Sequence, residues 1–232
     1  NFSFIYTNYN FQSTFEEESS SSDFFKSISK IEDFMLRGEA EYFPDEDHTI
    51  KAGLESVLHT FKAQATSDLY DIDQLGFRTK NKVRSFESAL YVQDEWDISE
   101  KIATNLGMRF VYFGSGNYFN VEPRLSGTYK LTDKVSLKGA FAVVNQNVHL
   151  LVRNDMSLPT DLWFPSTESV KPSRSWQAVL GAETTFGNGQ YFLSGEIYYK
   201  DMRNLYQYKD DAEFSFGIPL ESQFTIGRGE AY

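Results

Sequence analysis

The stretch Ile102-Ala103-Thr104-Asn105-Leu106-Gly107-Met108-Arg109-Phe110-Val111-Tyr112 decides how this chain folds. Leu106, Met108, Phe110 and Tyr112 stand on alternate positions, opposite Asn105, Gly107 and Arg109. Successive side chains of an extended strand point to opposite faces, so this period gives a strand with one apolar and one polar wall. The pattern recurs outward from there. Phe34, Leu36, Ala40 and Tyr42 oppose Asp33, Arg37, Glu39 and Glu41, and Val121, Leu125, Tyr129 and Leu131 oppose Glu122, Arg124, Ser126 and Thr128. Trp176, Leu180 and Phe186 oppose Gln177, Gly181 and Glu183, and Leu193, Ile197 and Tyr199 oppose Ser194, Glu196 and Lys200.

About ten strands follow from this reading: Phe2–Phe15, Ser27–Phe43, His48–Ala63, Ser85–Trp96, Ile102–Phe113, Val121–Leu131, Val135–Asn145, Trp176–Phe186, Gln190–Lys200 and Gln223–Tyr232. In the first, Ile5, Tyr9 and Phe11 fall out of step with Phe2, Phe4 and Tyr6, which predicts a bulge. The connections alternate in length. Pro44–Asp47, Asp97–Lys101, Thr132–Lys134 and Gly187–Gly189 are short; Glu16–Lys26, Ala65–Arg84, Gly114–Asn120, Gln146–Ser175 and Asp201–Ser222 are longer and polar.

A soluble sheet with one wet face shows the same alternation. Three features favour a membrane barrel. Long loops gathered at one end and tight turns at the other are the habit of outer-membrane barrels. Large aromatics collect beside the short turns (Phe43, Trp96, Phe186, Tyr191) and again toward the long loops (Tyr112, Phe119, Trp176, Tyr199), matching two interfacial belts. Several strands also exceed the 5–6 residues usual in soluble sheets. The fold class expected is therefore an all-β, antiparallel transmembrane β-barrel.

Composition excludes other classes. With 22 Lys+Arg against 33 Asp+Glu the formal charge is -11, which argues against a nucleic-acid partner. The longest apolar run, Ala140–Val144, is far below the roughly 20 residues of a spanning helix. A barrel strand crosses with about 10 residues, every second one apolar. The absence of Cys removes disulfides and thiolate metal sites. His48, His59 and His149 lack metal-ligand spacing, so no metal and no cofactor is expected. Gly187-Asn188-Gly189 reads as a hairpin turn rather than a phosphate loop. Ligand contact is best sought in the long loops, at His149, Arg153, Trp163, Arg203 and Tyr206, because aromatic and Arg side chains are the usual binding anchors.

The run Ser88-Ala89-Leu90-Tyr91-Val92-Gln93-Asp94-Glu95-Trp96, followed by Leu106-Gly107-Met108-Arg109-Phe110, resembles the mid-barrel hairpin of TonB-dependent outer-membrane receptors. So does Val121-Glu122-Pro123-Arg124-Leu125-Ser126 with Leu137-Lys138-Gly139-Ala140-Phe141. The stretch Asn145–Leu151, with Leu158–Trp163 and Pro165-Ser166, is similar to members from Bacteroidetes-type bacteria. The resemblance implies a 22-stranded barrel closed by a plug domain, importing a scarce nutrient across the outer membrane of a Gram-negative bacterium. The energy would come from the TonB-ExbB-ExbD system. Residues 1–232 would then be a partial barrel domain, with lumen-facing Arg37, Arg109, Arg124, Lys138 and Glu183 against the plug. Its partners would be membrane lipid, the remaining strands and plug, and in some systems a surface lipoprotein.

Because an open sheet leaves two bare edges, Asn1–Phe15 and Gln223–Tyr232 are expected to pair with strands outside this chain. Asn1-Phe2-Ser3-Phe4 opens on strand-like sequence without a leader, which fits a piece of a longer protein. The alternative is a complete ten-strand barrel, either a hydrolase with Asp155, Asp161, His149 or His59 converging at its rim, or an adhesin or scaffold.

Overall fold

In the computed structural model, residues 1–16, 24–68, 77–151, 162–209 and 220–232 are described. The strands are β1 (Phe2–Glu16), β2 (Phe24–Tyr42), β3 (His48–Asp68), β4 (Phe77–Ser99), β5 (Ile102–Phe113), β6 (Tyr118–Lys130), β7 (Val135–Gln146), β8 (Val148–Leu151), β9 (Leu162–Pro165), β10 (Ser173–Phe186), β11 (Tyr191–Tyr208) and β12 (Phe224–Ala231). A short 3₁₀ turn, Leu220–Gln223, precedes β12. Ten strands form one sheet in the order β1-β2-β3-β4-β5-β6-β7-β10-β11-β12, and β8-β9 form a separate hairpin. All pairings are antiparallel, and each strand pairs with the next one in the sheet, so the sheet is a meander interrupted only where β8 and β9 leave it between β7 and β10. β1 and β12 are its two edges and do not pair with each other.

Register turns the alternation into two continuous faces. Leu54, Leu90, Phe110 and Val121 are successive cross-strand partners, as are Leu106, Leu125, Phe141, Ala178 and Tyr199. Cross-strand neighbours on one face lie close enough for their side chains to pack. Phe34, Leu106, Leu125, Leu180 and Leu193 on this face are between 41% and 64% exposed, so among the described residues no second layer covers them. The opposite face carries Glu39, Gly53, Tyr91, Arg109 and Glu122 along one such row.

The short turns owe their sharpness to their residues. Gly187, Asn188 and Gly189 all have positive φ (63°, 57° and 84°), a conformation that Gly enters without strain and Asn tolerates. Tyr42 and Phe43, Trp96, Phe186 and Tyr191 surround this end of the sheet, the last two with stacked rings 5.2 Å apart.

Three expectations are revised. Gly114–Asn120 is not a long loop: Gly114-Ser115-Gly116-Asn117 closes a tight turn, with Asn117 at φ 55°, and Tyr118 and Phe119 already pair with Phe113 and Tyr112. The segment Ala65–Arg84 is largely strand, since β3 and β4 remain paired up to Ser67 and Phe77. Polar residues there break the apolar alternation, yet the backbone ladder itself needs none. β1 has no bulge; its register with β2 is continuous, and aromatics simply occupy both faces. The shifts lie instead between Arg203 and Leu205, where Asn204 has φ 55°, and between Asp97 and Ser99.

Candidate functional site: the charged wall and its hairpin

The charged face is a network more than a set of single residues. Arg37 donates from Nη2 to Glu39 Oε2 (2.8 Å) and to the Tyr91 hydroxyl (3.1 Å), and Tyr91 in turn donates to Glu39. The Tyr91 ring lies over Gly53, filling the space where a Cβ would sit. Lys51 pairs with Glu95 at 2.9 Å and approaches Glu41 at 3.8 Å. Arg109 reaches Glu55 at 2.8 Å and lies 4.0 Å from Glu122, which also has Arg124 at 3.9 Å. Farther along the sheet Lys138 binds Glu183 at 2.7 Å.

The five wall residues named from sequence therefore share one face. Arg37, Arg109 and Arg124 gather around Glu39, Glu55 and Glu122, while Lys138 and Glu183 form a separate pair. Parity places Glu39 and Glu122 on the polar side of their strands, whereas sequence reasoning did not assign Tyr91, Lys51 or Glu55 to this wall. Parity does carry a signal for Tyr91, which stands between Ala89 and Gln93 on the charged side of its strand.

Glu122 has a second role. β6 and β7 pair only as far as Arg124 and Ala142, and beyond that point they separate. The nearly buried Glu122 carboxylate enters the gap and accepts from the Asn145 backbone N–H (2.8 Å) and from its side-chain amide (3.3 Å). The released chain continues into β8 and β9, whose hairpin reaches both ends of the sheet. On one side the Trp163 backbone N–H donates to Ser29 Oγ at 3.2 Å, and the Trp163 ring meets Tyr9 edge-on at 6.1 Å. On the other, Leu151, Phe164 and Val170 pack with Tyr208 and Phe224. Ser29 belongs to the charged face, so the sheet curls with that face inward and the hairpin spans the concavity.

Of the ligand residues expected in the long loops, Arg153 lies outside the described residues. His149 is buried: Nε2 is 2.9 Å from Ser166 Oγ, Nδ1 is 3.4 Å from Ser173 Oγ, and Tyr206 meets its ring at 4.9 Å. Burial pulls its pKa down to about 4, which keeps the imidazole neutral. Tyr206 donates to the Lys171 carbonyl at 2.8 Å. Both therefore hold the hairpin in place. Arg203 pairs with Asp201 at 2.8 Å, on the strand parity of Ile197 and Tyr199. His59 pairs with Asp33 at 2.8 Å, and Asp155 and Asp161 lie outside the described residues. Among the described residues no group of His, Cys, Asp or Glu is arranged to hold a metal ion.

An antiparallel meander with an exposed apolar face and a charged concave face defines a segment of a transmembrane β-barrel. The profile of the TonB dependent receptor-like β-barrel family matches residues 1–232, and the chain belongs to that family. Solved structures agree in fold. The ferric yersiniabactin uptake receptor FyuA from Yersinia pestis is similar with a TM-score of 0.65 at 15% identity, over 89% of this chain and 34% of FyuA. The siderophore receptor PirA from Acinetobacter baumannii gives 0.58 at 16%, over 97% of this chain and 39% of PirA. The RagAB peptide transporter gives 0.53 at 10%, over 98% and 30%. The chain thus spans about a third of the length of these structures. No curated protein matches it in sequence.

Proposed function

We propose that this chain forms part of the wall and mouth of an energised nutrient importer in the outer membrane of a Gram-negative bacterium, with residues 1–232 as a partial barrel domain. The observation that carries the reading is the opposition of its two faces. An apolar surface left open suits hydrocarbon, where the sheet's own ladder satisfies the backbone. A curled face of paired Arg, Lys, Glu and Tyr suits a lumen filled by a polar plug. Arg124 and Lys138 are about half exposed there and offer donors to such a plug. The chemistry is binding and gated passage, with energy relayed through TonB-ExbB-ExbD to a plug encoded outside residues 1–232.

Family membership supports import in general. FyuA is named for ferric yersiniabactin uptake, PirA as a siderophore receptor and RagAB as a peptide transporter, so the cargo class stays open among siderophore, vitamin, peptide and glycan. A surface lipoprotein lid is a further partner consistent with this reading. The test uses the full-length gene product in its host. Expected results are recovery in the outer-membrane fraction, and growth on one of these cargo classes that is lost on deletion and on dissipating the proton gradient. Recovery in the soluble fraction, or uptake indifferent to the gradient, would overturn the proposal.

A further inference from the structure

The apolar face does not continue to the upper ends of β2, β3 and β4. Phe34, Leu58 and Phe86 are cross-strand partners and form its last apolar row, each 45–46% exposed. The next row on the same face is Glu32, Thr60 and Arg84, and the one beyond it is Lys30, Lys62 and Lys82. Three lysines directly opposite one another repel, and the arrangement is unusual on a chain of charge -11. Glu32 is shared between Lys30 (3.2 Å) and Lys62 (2.8 Å). Lys82 and Arg84 are exposed, with no ion pair among the described residues. Four cations thus face one carboxylate.

Their height is informative. From Trp96, in the aromatic belt beside the short turns, to Phe86 is ten residues along β4. A tilted strand crosses the hydrocarbon core in about that length. Arg84 and Lys82 follow two and four residues later, at the level of the outer headgroups. Asn8 and Asn10 of β1, the partners of Glu32 and Lys30, extend the row with amides able to donate hydrogen bonds.

We propose that this surface seats a phosphorylated lipid of the outer leaflet, its phosphates on Lys30, Lys62, Lys82 and Arg84 and its acyl chains on Phe34, Leu58 and Phe86. Cations above an apolar shelf select an amphiphile. A free phosphate gains nothing from the shelf, and a neutral lipid gains nothing from the cations. The inference rests on the bilayer placement proposed above and not on the cargo.

The test uses the full-length receptor, recovered from the outer membrane and placed in phosphatidylcholine nanodiscs. Bisphosphorylated lipid A is the probe, and native mass spectrometry reads its retention. The variant K62Q/K82Q/R84Q is expected to retain the lipid roughly a hundredfold less well, since each cation near an anionic headgroup contributes comparably. The charge-preserving variant K62R/K82R should bind as wild type, which separates loss of charge from misfolding. Inorganic phosphate at matched concentration should not displace the probe. Unchanged retention by the triple variant, or displacement by inorganic phosphate or heparin at equal potency, would overturn the lipid seat. A receptor absent from the outer-membrane fraction would instead overturn the bilayer placement.

Discussion

A charge placed in the middle of the apolar face is the sharpest test of which way this sheet faces. Leu180 of β10 is 64% exposed and lies six residues above Phe186, a member of the aromatic belt beside the short turns. At about 3.4 Å per residue and a tilt of about 40°, it stands about 16 Å above that belt, close to the middle of an apolar band about 25 Å tall. Leu180→Lys is therefore expected to cost about 2–4 kcal/mol, roughly a 30- to 1000-fold shift in the folding equilibrium. The neighbouring Val179 belongs to the inner face, opposite Ala140 and Tyr198, where water or plug can solvate an ammonium. Val179→Lys should cost under about 1 kcal/mol. The assay is reversible denaturant unfolding of the full-length receptor in lipid vesicles, followed by tryptophan fluorescence and heat-modifiable gel mobility. Adjacent positions on one strand share propensity and strand context, so the difference isolates the solvent on each side. Equal costs at the two positions, or a larger cost at Val179, would refute lipid on the Leu180 side.

Arg109→Gln should destabilise the wall by about 1–3 kcal/mol, because Glu55 and the buried Glu122 lose their counter-charge. A double-mutant cycle with Glu55→Gln should recover part of that loss, and strict additivity would show that the pair is not coupled. Acidification should release the hairpin. His149 has a folded pKa of about 4, below the ordinary 6.5, so the contribution of its neutral form is complete above pH 6.5. It is lost as pH falls from 6.5 toward 4, on the order of 3 kcal/mol in all. Amide protection at Val148–Leu151, taken relative to the intrinsic exchange rate at each pH, should fall over that range in wild type and stay level in His149→Gln; flat wild-type protection would contradict the assignment. Ser29→Ala removes the acceptor of the Trp163 N–H and should weaken the other end of the hairpin by about 1 kcal/mol. Faster limited proteolysis near Trp163, with the sheet intact, is the expected readout.

The apolar and charged walls were legible in the amino-acid order because alternation of side chains is a covalent property of an extended backbone. Ile102–Phe113 appears in the structure with the boundaries its parity implies, and Arg37, Arg109, Arg124, Lys138 and Glu183 share a face for the same reason. The turn at Gly187-Asn188-Gly189 was likewise written in residues that accept positive φ. Only the tertiary structure decided which carboxylate each cation meets, because partners such as Arg37 and Tyr91, or Arg109 and Glu55, lie 54 residues apart and are joined by register. It also decided that β6 and β7 part around Glu122 and that a hairpin from the longest loop spans the concavity. His149, read from sequence as a ligand contact, is buried within that hairpin, a placement its local sequence does not carry. Local period specifies which side a residue takes; what waits on that side depends on how far the sheet curls.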